Sequence, residues 1–97
     1  MPEIEIYTTP FCPFCYRAKA LLADKGAAFT EIDVLLKPSR RREMTDRAGG
    51  GYTVPQVFVD GAHVGDCNDL YALEYAGKLD AVLGIGGGPG DGREEGN

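Results

Sequence analysis

Histidine occurs once in these 97 residues, and cysteine three times. Three cysteines cannot form the even-numbered disulfide framework of a small secreted domain. A structural zinc site usually takes four Cys or His ligands. Cys12, Cys15, Cys67 and His63 supply that number, but His63 and Cys67 lack finger-like spacing, so no metal is expected. Basic residues are also scarce: 10 Lys and Arg against 15 Asp and Glu give a net charge of −5. That balance argues against a nucleic-acid partner, because duplex binding rests on Lys and Arg. No apolar run approaches the roughly 20 residues needed to span a bilayer, and Met1-Pro2-Glu3-Ile4-Glu5 lacks the basic-then-apolar order of a secretory signal. The expected setting is the cytoplasm, away from membranes. The length fits one domain, and 43% hydrophobic residues suffice for a modest core.

What is present reads as alternating strands and helices. Glu3 to Thr8 alternates with period two, Ile4 and Ile6 against Glu3, Glu5 and Tyr7, which predicts a strand. Pro13 suits the first position of a helix. Ala18, Leu21 and Leu22 then recur at helical spacing until Gly26. Ala28 to Val34 is a second strand, and Pro38 opens a second helix that Gly49-Gly50-Gly51 ends. Val54 to Asp60 is strand-prone, Asp60-Gly61 is a hairpin turn, and Ala62 to Val64 is the return strand. Asp66 to Ala76 predicts a third helix with Leu70, Leu73 and Ala76 inward, and Leu79 to Leu83 one further turn. The order β-α-β-α-β-β-α implies a parallel pair with a right-handed crossover, then antiparallel strands on the same sheet, with helices on both faces. The domain is expected over residues 1–83. Seven of the last 14 residues are Gly, so 84–97 reads as a disordered Gly-rich tail.

The chemistry centres on Cys12-Pro13-Phe14-Cys15. Cys12 falls where a strand ends and a helix begins, so first-turn N–H groups without intrahelical partners point toward it. The helix dipole adds partial positive charge there. Both favour a thiolate at a cysteine so placed, and the thiolate is the species that attacks a disulfide. Cys15, one turn further in, is expected to be more buried, with a higher pKa. The division of labour follows: Cys12 attacks a disulfide, and Cys15 then attacks the mixed disulfide at Cys12 and releases the reduced product. A zinc half-site or two packed core cysteines are the alternatives. The strand-then-helix setting of the pair favours redox chemistry.

Two further segments point toward a ligand. In Thr53-Val54-Pro55-Gln56, a proline inside a strand suits an edge. A cis Val54–Pro55 bond would offer the Val54 backbone to an extended peptide. Gly65-Asp66-Cys67-Asn68-Asp69 runs into a helix whose free N–H groups can hold a carboxylate. Asn68 or Asp69 could accept from an ammonium, while Asp66 equally reads as an N-cap. Cys67 reads as buried packing. The run Arg40-Arg41-Arg42 is by default a solvated face, and the sharper option is docking of a carboxylate. His63 has no visible partner, and Tyr52, Tyr71 and Tyr75 read as packing.

Taken together, these motifs resemble the glutaredoxin family, in its small bacterial dithiol class, over roughly residues 3 to 83. The resemblance implies a thioredoxin-like α/β fold, a four-stranded mixed sheet flanked by helices on both faces. It implies an enzyme that uses glutathione as co-substrate to reduce protein disulfides and protein–glutathione mixed disulfides. By position, Cys12 would be the nucleophile and Cys15 the resolving thiol of a redox-active disulfide. Glutathione would lie against Thr9, Phe14, Arg41, Thr53, Val54, Pro55, Cys67 and Asn68. Val54 would pair with its cysteine backbone, Pro55 would be cis, the N–H groups of Cys67 and Asn68 would hold the γ-glutamyl carboxylate, and Arg41, with Arg40 beside it, would meet the glycine carboxylate.

Four positions depart from the family pattern. Phe14 replaces the commoner Tyr, Thr9 stands where Lys is frequent, Asp66 where a second Gly is usual, and Asn68 where Asp is frequent. The missing cation and the added carboxylate predict weaker glutathione binding than in a typical relative. They also keep open an electron donor recharged by a flavin-dependent disulfide reductase. A glutathione-ligated [2Fe–2S] module is less favoured, because Pro13 crowds the nucleophile, and a non-catalytic adaptor is the remaining class. A monomer is expected.

Overall fold

Ile4 and Ile6 point to one side of the first strand and Tyr7 to the other, and all three are buried. The sheet therefore needs cover on both faces. The computed structural model describes residues 2–84, and its elements are β1 (Ile4–Thr8), α1 (Pro13–Asp24), β2 (Thr30–Asp33), α2 (Pro38–Arg47), β3 (Gln56–Val59), β4 (Ala62–Gly65), α3 (Cys67–Tyr75) and α4 (Leu79–Leu83). The four strands form one sheet in the order β2-β1-β3-β4. β1 and β2 are parallel, whereas β1–β3 and β3–β4 are antiparallel. The tail expected at 84–97 lies, beyond Gly84, outside the described residues. No helix among the described residues is long and apolar enough to cross a membrane.

One core joins Ile4 and Ile6 to Ala18, Leu21 and Leu22 of α1, Cys67 and Leu70 of α3, and Leu79 and Leu83 of α4. Leu22, Leu70, Leu79 and Leu83 are fully buried, each worth about 1.5–3 kcal/mol of transfer energy. Lys25, at the end of α1, ties this layer together with ion pairs to Glu74 of α3 at 2.6 Å and Asp80 of α4 at 2.8 Å. The opposite face carries a smaller core of Tyr7, Ile32, Val34, Met44 and Phe58 under α2. There Arg47 lies over the Phe58 ring at 4.3 Å and bonds both Glu5 and the Tyr7 hydroxyl, which in turn donates to Glu43.

Several expectations are corrected in detail. The second strand starts at Thr30, not Ala28, because its ladder with β1 runs from Thr30 to Asp33. Val54 and Pro55 precede the third strand, which starts at Gln56. That strand is central, between β1 and β4, so an edge position does not account for Pro55. The proline sits ahead of the ladder, where its missing N–H costs no pairing. Tyr52 and Tyr75 are exposed, and only Tyr71 packs against the core. Ala76 is the exposed C-cap of α3 and does not face inward. The hairpin turn forms as expected, with Asp60 at φ 51° and Gly61 at φ 83°, the left-handed pair that tight hairpins require.

Candidate functional site

β1 and β2 end, and β3 begins, at the same edge of the sheet, where β4 also delivers the chain into α3. The segment after β1 turns there through Phe11, whose backbone is left-handed (φ 66°), and presents Cys12 as the N-cap of α1. Cys12 Sγ accepts the backbone N–H of Cys15 at 3.3 Å, so the sulfur occupies the place a capping oxygen usually takes. Pro13 follows at the first helical position, where no N–H is needed. Cys12 is partly open to solvent, while Cys15 is 1% exposed.

The two thiols are therefore unequal. Burial, with hydrogen bonding to Cys12 adding to it and the Thr9 backbone opposing it, pushes the Cys15 thiol up to about 12. At neutral pH Cys15 holds its proton. Burial likewise raises the Cys67 thiol, which packs in the larger core beside Leu70.

Beside Cys12 lies a groove of about 280 Å³ lined by Phe14, Thr53, Val54, Pro55, Asp66, Cys67 and Asn68. The Val54–Pro55 bond on its wall is cis, and the Val54 carbonyl faces Cys12 Sγ at 4.0 Å. The far wall is the start of α3. There the Asp66 side chain accepts the Asp69 N–H, and the Asp69 side chain accepts the Asp66 N–H, each at 3.0 Å. This capping box leaves the N–H groups of Cys67 and Asn68, in the first helical turn, without helical acceptors.

Six of the eight residues expected to contact a ligand thus line one groove. Thr9 is not among them. Arg41 is not either: its guanidinium donates to the Tyr52 carbonyl at 2.9 Å, and it lines a second depression with Pro38, Arg42, Thr45 and Asp46. It stands one residue from Thr53 through that bond. Arg40 is paired with Glu43. His63 does have a partner, Gln56 of β3 at 2.6 Å, and so serves the β3–β4 hairpin instead of the cysteines. The sequence reading missed the Asp69 half of the capping box, although aspartates at positions 66 and 69 are its signature.

The sequence profile described as Glutaredoxin matches residues 4–64. A curated glutaredoxin of Pseudomonas aeruginosa is 54% identical over 83 residues, covering 86% of this chain and 98% of the relative. The solution structure of a Brucella melitensis glutaredoxin is 57% identical, with a TM-score of 0.73 over 84% of this chain and 87% of that one. A buckwheat glutaredoxin crystallised as a glutathione complex is 26% identical, with a TM-score of 0.77 over 86% of this chain and 77% of its own.

Proposed function

Because the chain belongs to the glutaredoxin family, with its thioredoxin-like fold and thiol–disulfide oxidoreductase chemistry, we propose that it is a glutathione-dependent dithiol enzyme that reduces protein disulfides and protein–glutathione mixed disulfides. One observation carries the reading. A half-open Cys12 sulfur, capped by the Cys15 N–H, stands between a buried protonated Cys15 and a groove with free backbone donors on its far wall.

In the proposed reaction, glutathione occupies the groove. Its cysteine backbone pairs with Val54, and its γ-glutamyl carboxylate meets the N–H groups of Cys67 and Asn68. Thr53, Pro55 and Phe14 enclose it, and Arg41 receives the glycine carboxylate by turning from the Tyr52 carbonyl. Cys12 Sγ attacks the glutathione sulfur of a mixed disulfide, and the protein thiolate leaves. Cys15 then loses its proton and attacks Cys12 Sγ, which forms the Cys12–Cys15 disulfide and frees glutathione. Two further glutathione molecules reduce that disulfide and leave as one oxidised glutathione. Exposed Phe11, Leu36 and Tyr52 at the same end of the sheet support polypeptide partners. A reducing cytoplasm would keep the dithiol ready, and the enzyme would act as a monomer.

The test is Cys15→Ser, which removes the resolving thiol. Incubated with glutathione disulfide, this variant should accumulate one glutathione on Cys12, identified by mass spectrometry. An unmodified Cys12 would overturn the reading. Asp66, a carboxylate on the groove wall, favours a second reading in which a flavin-dependent reductase recharges the protein. Turnover supported by that reductase, and not by glutathione with its own reductase, would select it.

A further inference from the structure

The resolving step has a difficulty built into it. Cys15 must become an anion as it attacks, yet it is buried with its thiol near 12. Among the described residues, none that lines the groove is a cation, and position 9, beside the pair, is Thr. One ammonium is nevertheless held close by. Lys19 lies four residues after Cys15 on α1, so the two share a face with Cβ atoms about 5–6 Å apart. Its Nζ is fixed by Glu31 of β2 at 2.9 Å and lies 5.0 Å from the centre of the Tyr16 ring. The Glu31 oxygen that holds it also accepts the Thr8 hydroxyl at the end of β1, at 2.7 Å. The ammonium is thus fastened to the end of β1, the strand that runs into the Cys12–Cys15 segment. The charged and titratable groups that act on Cys15 are Cys12 and Lys19 on α1, and Lys19 in turn faces Tyr16 and, on β2, Glu31. On the α3 side, Cys67 faces Cys12, Asp66 and Arg17.

We propose that Lys19, tethered by Glu31 and Tyr16, is a positioning residue for resolution, with its ammonium stabilising the negative charge that develops on Cys15 Sγ. The inference rests on the dithiol reading above. The proton of Cys15 passes to water, the sulfur–sulfur bond between Cys12 and glutathione breaks as the Cys12–Cys15 bond forms, and glutathione departs as a thiolate that takes up a proton. Lys19 exchanges no proton. Its charge acts through space and makes the anion accessible at lower pH, and Glu31 keeps it in place.

Single-turnover mixing of reduced protein with glutathione disulfide, acid-quenched and read by mass spectrometry, separates formation of the Cys12 adduct from its resolution. Lys19→Met should slow resolution on the order of 3- to 10-fold at pH 7, the effect of losing one nearby charge in a partly wet site. It should also move the rise of the resolution rate toward higher pH. Lys19→Arg should restore both. In a Cys15→Ser background, Lys19→Met should leave adduct formation unchanged. Resolution of Lys19→Met at the wild-type rate would overturn the inference, as would failure of Lys19→Arg to rescue or an equal loss in the Cys15→Ser background. Failure of the wild-type protein to form any Cys12 adduct would overturn the functional reading itself.

Discussion

Asp66 has two separable duties, and replacing it with Asn divides them. The side chain caps α3 through Oδ1, which accepts the Asp69 N–H at 3.0 Å, while its charge lies on the groove wall beside Cys67 and Asn68. Asn keeps the accepting oxygen, so the cap should survive; Ala at a cap costs about 1 kcal/mol. The charge is a different matter. A carboxylate seated on the N–H groups of Cys67 and Asn68 would lie about 6 Å from that of Asp66. Two like charges at that distance repel by about 0.7 kcal/mol in bulk water, and by about twice that at half the dielectric constant. Asp66→Asn should therefore bind S-methylglutathione, which cannot exchange, about 3- to 10-fold more tightly by isothermal titration calorimetry. Its Tm should stay within a degree or so of wild type. The gain should shrink in 1 M salt, where the Debye length falls to about 3 Å. Unchanged or weaker binding by a folded Asp66→Asn protein would mean that no ligand carboxylate sits at the start of α3.

Other perturbations bear on the frame around the site. The Cys15 thiol is raised from 9.0 to about 12 by burial, so the folded state holds a proton that the unfolded chain releases above pH 9. Stability of the reduced protein should be flat below that point and fall as pH climbs from 9 toward 12, more steeply than in Cys15→Ser, as read by denaturant titration across pH; parallel curves would refute the burial argument. Gly65→Ala should destabilise by about 2 kcal/mol in a thermal melt, from strain at a special backbone position, because Gly65 sits at φ 134° and a Cβ there would overlap the Asp69 side chain that closes the capping box; a melt with glutathione present should show a smaller ligand-induced shift than in wild type. Arg47→Met should cost about 1.5–3 kcal/mol in urea unfolding, the worth of charged hydrogen bonds, since it strands Glu5 and uncovers Phe58. Because Arg47 lies on the α2 face, the Cys12 adduct should still form at the wild-type rate.

The parts of this molecule that were legible in the sequence depend on short reach along the chain. Cys12 as an N-cap, Pro13 after it, Cys15 one turn on and the Asp60-Gly61 hairpin are each decided within three or four residues, so periodicity and turn chemistry suffice to place them. Strand order is not decided that way. Nothing in Val54-Pro55-Gln56 says that the following strand lies between two others, and an edge was therefore the natural expectation for its proline. The outcome follows from a balance of faces. β1 carries Ile4 and Ile6 for one layer and Tyr7 for the other, and so does β3, with Val57 and Val59 against Phe58. Two strands that must be buried on both sides take the middle of the sheet, and the less apolar β2 and β4 take its edges. That placement brings Val54 opposite Cys12 and Asp66 across the groove, from positions more than forty and fifty residues away in sequence. Thr9 and Arg41 stand outside the groove lining. Arg41 is engaged by a backbone group of the scaffold, the Tyr52 carbonyl, and that bond has no local signature. The reacting sulfur is thus set by a local motif, whereas what surrounds it is set by which strands can afford to be central.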